Sequence, residues 1–304
     1  MTEKSKTILL DGGMGRQLAR MGAPFRQPEW SALALMEAPE TVATAHGQFI
    51  AAGAEVITTN SYALVPFHIG EERFAREGAR LVDLCGRLAR QAADAAGRPV
   101  KVAGSLPPLF GSYRPDLFDA AAAPRLLKVL TRGLAPYIDL WLVETTSSIA
   151  EAQAAAKAAL AEAAKPLWIS FTLQDDGADP AAPHLRSGET PAAAVEAALA
   201  LGAEAVLFNC SQPEVMGAAI AEAGQAAKQK GRPDLRIGVY ANAFPPQTKE
   251  AAANASLSGL RGDLDPERYL GFTQGWIAQG ASIVGGCCGI GPEHIAAIRT
   301  RLGN

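Results

Sequence analysis

Near the C-terminus, Ser282-Ile283-Val284-Gly285-Gly286-Cys287-Cys288-Gly289-Ile290-Gly291 sets two adjacent cysteines between glycines at the end of an apolar run. Neighbouring Cα atoms are about 3.8 Å apart, so a bridge between these two thiols would be strained. Two thiolates on a backbone freed by glycine suit a soft metal ion instead. A third cysteine, Cys210, closes another apolar run as Asn209-Cys210. Three thiolates with one position open form an arrangement for Zn²⁺ that admits a further ligand, and such an ion lowers the pKa of an incoming thiol. The competing reading is that free cysteines are small buried hydrophobes. Packing is the reading for Cys85, inside Leu81-Val82-Asp83-Leu84-Cys85.

Other residue types add polar chemistry. Glu144 ends an otherwise apolar run, Ile138 to Val143, so burial is expected and a cationic partner with it. A ligand ammonium group would serve; a structural ion pair with an arginine is the alternative. In Asp11-Gly12-Gly13 the glycines let backbone N–H groups approach a carboxylate, and Asp11 is placed to take an ammonium, although many turns read the same way. Trp30 and Tyr62 offer ring faces to a cationic group, or simply pack. The four histidines show no metal-ligand spacing, and His46 and His294 fall in helical segments.

These residues need a scaffold that brings distant chain segments to one place. Eight short apolar runs recur: Thr7–Asp11, Glu55–Asn60, Val100–Gly104, Ile138–Glu144, Leu167–Thr172, Ala205–Cys210, Arg236–Asn242 and Ser282–Gly285. Between them lie helix-period segments, Glu40–Gly53, Glu71–Ala96, Ile149–Ala164, Pro191–Leu201 with Thr190 as N-cap, one opened by Pro213, Pro266–Gln279 and Pro292–Leu302. Strands alternating with helices argue for parallel strands buried on both faces. Eight such units predict a single (β/α)8 TIM barrel over residues 1–304, with an open doubly wound sheet as competitor. The first strand is not followed by Gly-x-Gly-x-x-Gly, which weakens that competitor as a dinucleotide binder. Barrel closure would gather the cysteines of strands six and eight on the C-terminal rim, where such folds carry their chemistry.

A net charge of −3 leaves no basic footprint for nucleic acid. Four cysteines in 304 residues are no disulfide framework, which predicts a reducing cytoplasm. The start Met1-Thr2-Glu3-Lys4-Ser5-Lys6 does not read as a signal peptide, and no apolar run reaches the length of a membrane span.

Together the motifs resemble the homocysteine S-methyltransferase family of zinc-dependent (β/α)8 barrels. The resemblance covers nearly the whole chain: Leu10-Asp11-Gly12-Gly13-Met14-Gly15, Trp30-Ser31-Ala32, Thr59-Asn60-Ser61-Tyr62, Gly104-Ser105-Leu106, Val143-Glu144-Thr145, Asn209-Cys210 and Gly285-Gly286-Cys287-Cys288-Gly289. It implies Cys210, Cys287 and Cys288 as zinc ligands, with Asn242 or Tyr62 as a displaceable fourth. It also implies an amino-acid clamp made by Asp11, Glu144 and the backbone near Gly12, Gly13 and Gly286. Trp30-Ser31-Ala32 looks more like the S-methylmethionine-dependent type than the betaine type, which carries a tyrosine where this chain has Thr145. The family's Tyr-Pro-Asn-Ser-Gly reads Tyr240-Ala241-Asn242-Ala243-Phe244 here, a departure that bears on the donor pocket.

The expected activity is zinc-dependent methyl transfer from a sulfonium donor, S-methylmethionine or S-adenosylmethionine, to L-homocysteine, forming methionine. The partners are those small molecules, without nucleic acid or membrane, and the chain acts as monomer or homodimer. Neither NAD nor cobalamin is implied. The alternatives are a betaine-type donor, another thiol acceptor, or a non-catalytic zinc-binding barrel.

Overall fold

A computed structural model describes residues 6–246 and 259–303. The polar start, residues 1–5, lies outside the described residues, as does part of the loop before Pro266. All eight expected strands form: β1 (Ile8–Leu9), β2 (Val56–Thr58), β3 (Lys101–Leu106), β4 (Leu140–Thr146), β5 (Leu167–Phe171), β6 (Ala205–Asn209), β7 (Arg236–Tyr240) and β8 (Ile283–Val284). They make one parallel sheet in the order β1-β8-β7-β6-β5-β4-β3-β2. The remaining seam between β1 and β2 is closed by a parallel bridge of Leu10 to Val56, with Glu55 N donating to Leu9 O at 2.7 Å. The result is the (β/α)8 barrel that the strand–helix alternation predicts.

Helices wrap the sheet: α1 (Met14–Arg20), α2 (Ser31–Glu37), α3 (Pro39–Ala51), α4 (Pro66–Ile69), α5 (Glu71–Asp94), α6 (Ala123–Leu134), α7 (Ile149–Glu162), α8 (Pro191–Ala200), α9 (Pro213–Gln229), α10 (Pro266–Ala278) and α11 (Pro292–Leu302). Local chemistry starts several of them. Thr190 Oγ1 accepts from Ala193 N at 3.1 Å and Asp265 Oδ1 from Arg268 N at 2.8 Å, each satisfying a donor of the first turn. The sequence reading passes over α6, hidden behind the Pro- and Gly-rich loop before it. Its buried Leu126, Leu127, Leu130 and Leu134 nevertheless repeat at helical spacing. Among the described residues no helix is long and apolar enough to cross a membrane.

Two cores result. The larger fills the space between sheet and helices, and the smaller plugs the barrel with Leu10, Val56, Ala103, Leu140, Leu142, Trp168, Ala205, Leu207, Tyr240 and Ile283. Side chains alternate along a strand, so Leu140 and Leu142 point inward and Glu144 stands above them at the top of the same row. Ser105 above Ala103 and Asn209 above Leu207 follow the same rule. The apolar plug thus ends in a polar layer at the C-terminal rim, and that layer is the floor of the site.

Candidate active site

A cavity of about 270 Å³ opens over this floor. Asp11, Gly12, Gly13, Trp30, Tyr62, Glu144, Gly286 and all three rim cysteines line it. The Sγ atoms of Cys210, Cys287 and Cys288 lie within 4.8 Å of one another, with Cys287 Sγ donating to Cys210 Sγ at 2.8 Å. Cysteine–zinc bonds of about 2.3 Å require thiols gathered on this scale, so the donor set fits a soft ion. The sulfurs share their protons unequally. Hydrogen bonds from Cys287 and Cys288 hold the Cys210 thiol well below its usual range, and its partners are pushed up in turn.

The backbone aims these thiols. Cys210 leaves β6 in the left-handed region at φ 51°, its N–H donating to Tyr240 O at 3.2 Å. Cys287 N donates to Ala241 O at 2.9 Å, and Cys288 O accepts from Ala243 N at 2.8 Å, tying the cysteine pair to the end of β7. Gly286 in the pair's loop and Gly13 in the turn between β1 and α1 serve close packing. A Cβ on Gly286 would stand 2.2 Å from Ile290 Cγ2, and one on Gly13 would stand 2.5 Å from Cys287 O. Gly13 N–H donates to Ile290 O and Gly286 N–H to Asp11 O, so both are already engaged within the protein. Of the three glycines expected to face a carboxylate, Gly12 alone has an N–H without a hydrogen bond among the described residues.

Two buried carboxyls line the same cavity. Asp11 accepts from Thr58 N at 2.7 Å and Thr58 Oγ1 at 3.1 Å. Glu144 accepts from Ser105 Oγ and, at 3.2 Å, from Tyr240 Oη. Burial pushes both pKa values up to about 7, against the pull of those donors. Neither has a lysine or arginine partner among the described residues, which removes the structural ion pair as the reason for Glu144.

The sequence from residue 8 to residue 302 matches the family model of homocysteine S-methyltransferase. The chain belongs to the homocysteine S-methyltransferase family. It is 29% identical to the homocysteine S-methyltransferase of Escherichia coli, over 99% of this chain and 97% of that one. A selenocysteine Se-methyltransferase of Brassica oleracea is 26% identical, over 99% and 90%. Among solved structures, the metallated form of the E. coli homocysteine methyltransferase MmuM superposes with a TM-score of 0.76 at 27% identity, covering 99% of this chain and 97% of that one.

Within this family frame, the two residues expected to supply a displaceable ligand are both engaged elsewhere. Tyr62 Oη shares a 2.7 Å hydrogen bond with Ser112 Oγ. Asn242 is fully buried and its Oδ1 accepts from Phe244 N at 3.2 Å. Its Nδ2 makes no hydrogen bond of ordinary geometry among the described residues, yet lies near enough to Cys210 to favour the thiolate. The phenol that touches sulfur is Tyr113, in the loop after β3, whose Oη donates to Cys210 Sγ at 3.1 Å. Sequence reasoning missed it. The signal available was its place in a Pro-, Gly- and Tyr-rich loop on the catalytic rim.

Asn209, half of the Asn-Cys signature, acts on β4. Its Oδ1 accepts from Thr145 N at 3.1 Å and Ser170 Oγ at 2.8 Å, while Nδ2 donates to Thr145 Oγ1 at 2.8 Å. These bonds hold Thr145 at φ 58°, a costly conformation for a β-branched residue, beside a register shift between Val143 and Thr146. The bulge turns the strand end at Glu144. Trp30, Tyr113, Thr145 and Cys210 are the non-glycine residues with left-handed backbone among those described, and all four line the cavity. Strain gathered in this way marks a working site.

Proposed function

We propose that this protein transfers a methyl group from a sulfonium donor to the thiol of L-homocysteine, with zinc held by Cys210, Cys287 and Cys288, in the cytoplasm. The observation that carries this reading is one cavity lined by three thiols and by two buried carboxyls that have no lysine or arginine partner among the described residues. The chemistry a bound zinc ion supplies is Lewis acidity toward sulfur, which makes an acceptor thiol a thiolate near neutral pH.

The chain's own residues do the rest. Asp11 and Glu144 receive the acceptor's ammonium, which supplies the missing cation and draws both pKa values down. Trp30 and Tyr62 turn aromatic faces toward the donor's positive charge. The acceptor sulfur then attacks the donor methyl carbon in line. A new S–C bond forms as the donor's C–S⁺ bond breaks, and that electron pair stays on the departing sulfur. Thiolate and sulfonium both become neutral thioethers, so a dry cavity favours the transition state over the separated ions. The acceptor's thiol proton has already left to solvent.

The test is a panel of S-methylmethionine, S-adenosylmethionine and betaine with homocysteine, run with metal analysis. Methionine formed from a sulfonium donor with one zinc per chain is the expected result. Full turnover by zinc-free protein would overturn the metal assignment, and turnover with betaine alone the donor. The relative acting on selenocysteine favours a second acceptor class, so selenocysteine belongs in the same panel.

A further inference from the structure

The chain leaving β7 is fastened at Ala243 and Phe244 alike. Ala243 N–H donates to Cys288 O and Ala243 O accepts from Arg261 N, each at 2.8 Å. Phe244 N–H donates to Asn242 Oδ1 at 3.2 Å, and Phe244 O accepts from Gln212 Nε2 at 2.9 Å. Gln212, the buried N-cap residue of α9, uses both ends of its amide here, since its Oε1 accepts from Arg261 Nη1 at 2.9 Å. Arg261 is itself gripped by Glu214 through two bonds of 3.0 and 2.8 Å, a paired arrangement with a fixed geometry. A Cβ on Gly289 would stand 2.8 Å from both Ala243 Cβ and Leu260 Cδ2, so these segments touch closely.

These bonds decide where one side chain goes. The buried Phe244 ring is part of the cavity lining, with the Arg16 guanidinium carbon 5.5 Å from its centroid. Its backbone N–H and C=O are both engaged, so the ring does not leave by a swing of the chain. A cavity of about 270 Å³ is small beside the roughly 300–1,000 Å³ of ordinary ligand pockets, and here it takes acceptor and donor together. The acceptor, reaching to Asp11 and Glu144 with its sulfur at the cysteines, fills the part nearest the barrel floor. Phe244, two residues past Asn242 on the way out of β7, borders what is left. S-methylmethionine and S-adenosylmethionine share the same amino-acid arm and sulfonium charge and differ in one substituent on sulfur, a methyl group against a nucleoside. We propose that Phe244, set in place by Gln212, is a size filter that admits a compact dimethylsulfonium donor and refuses one bearing a nucleoside. This inference rests on the methyl-transfer reading above and names its donor class.

The test measures both donors on the zinc-loaded full chain, by steady-state kinetics with homocysteine and by calorimetry of each donor without acceptor. The quantity read is the ratio of kcat/KM for S-methylmethionine to that for S-adenosylmethionine. Wild type should favour S-methylmethionine, and Phe244→Ala should move the ratio toward S-adenosylmethionine about 10-fold or more, the scale on which pocket shape discriminates substrates. Gln212→Glu keeps an acceptor for Arg261 but removes the donor to Phe244 O. It should move the ratio the same way by about 3- to 10-fold, the range for one lost hydrogen bond. A wild type that uses both donors equally well would overturn the proposal. So would variants that lose activity with both donors in equal proportion, which is what a merely structural role gives. If neither donor methylates homocysteine but Phe244→Ala still opens binding to S-adenosylmethionine, the methyl-transfer reading fails while the filter stands.

Discussion

The two walls of the cavity are built on opposite principles. On the β6–β8 side the thiols are aimed by backbone: a left-handed Cys210, strand-end hydrogen bonds to Cys287 and Cys288, and glycines that let two loops touch. On the β1–β4 side Asp11 and Glu144 are held by side-chain and backbone donors from Thr58, Ser105 and Tyr240, all uncharged. The first wall fixes positions with little regard to charge, as suits soft ligands that must meet one ion. The second leaves two carboxyls buried at a cost in free energy, recovered when a cation arrives. A substitution should therefore act through geometry on one side and through charge and pH on the other.

Removing a thiol is the most severe way to break the first wall. Cys288→Ala should abolish stoichiometric zinc and reduce methyl transfer to background, a larger effect than the roughly 10- to 100-fold typical of outer partners of a metal ligand. Metal analysis on the purified variant, with a folding check by circular dichroism, decides it. Retained zinc at one per chain would show that Cys288 is not a ligand.

Glu144→Gln probes the second wall, where the sign of the pH effect is fixed by burial. The folded carboxyl has a pKa of about 7, raised from 4.5, so the folded state binds more protons than the unfolded state between those values. Stability from this group is full below about pH 4.5 and is lost as pH rises through 7. The ligand-free Gln variant should accordingly be more stable than wild type at pH 8, by about 1–3 kcal/mol, and should lose that advantage near pH 5. Homocysteine KM should rise about 10- to 100-fold at pH 8. Denaturant melts at the two pH values, paired with steady-state kinetics, separate the two effects; an unchanged KM would detach Glu144 from the acceptor.

Gly13→Ala sharpens the contrast because it adds no charge at all. Its new Cβ would press on Cys287 O and Cys288 Cα from 2.5 and 2.9 Å, both backbone atoms, so the loop rather than a flexible side chain must move. A loss of about 1–3 kcal/mol in stability is expected, with weaker zinc binding and a homocysteine pH profile shaped like the wild type's. A changed profile would mean that the walls are coupled through this contact.

How much of this was legible in the sequence follows the same division. Strands, most long helices and the rim cysteines declare themselves through period, glycine punctuation and residue type, because those patterns report burial directly. Glu144 and Asp11 also stood out, as carboxyls closing apolar runs. What could not be read are contacts between distant segments. Nothing local in Asn209 says that its amide locks Thr145, 64 residues away in the chain. Nor does the sequence show that Gly13 and Gly286 are spaces left for neighbouring backbone and side chain. Tyr113 is the clearest omission, since a tyrosine in an irregular loop has no periodicity to betray where its hydroxyl ends.

Tyr113 is also a link between the walls, reaching from the β3 loop to Cys210 at the end of β6. Its position is secured on the far side by Arg186, whose guanidinium carbon lies 4.3 Å from the ring centroid and which pairs with the buried Asp175 at 2.9 Å. Asp175 in turn accepts from Gln212 N at 3.0 Å, two residues beyond Cys210, so the phenol and the sulfur are referenced to one buried ion pair. Three thiolates exceed the charge of a divalent ion by one, and an O–H donor at one sulfur offsets that excess. Tyr113→Phe keeps the ring and its cation contact while deleting the donor. Zinc affinity, read by competition with a chromophoric chelator, should fall roughly 3- to 10-fold, with little change in stability. Affinity equal to wild type would mean that the backbone of the sulfur wall alone fixes the metal, and the contrast between the two walls would then be complete.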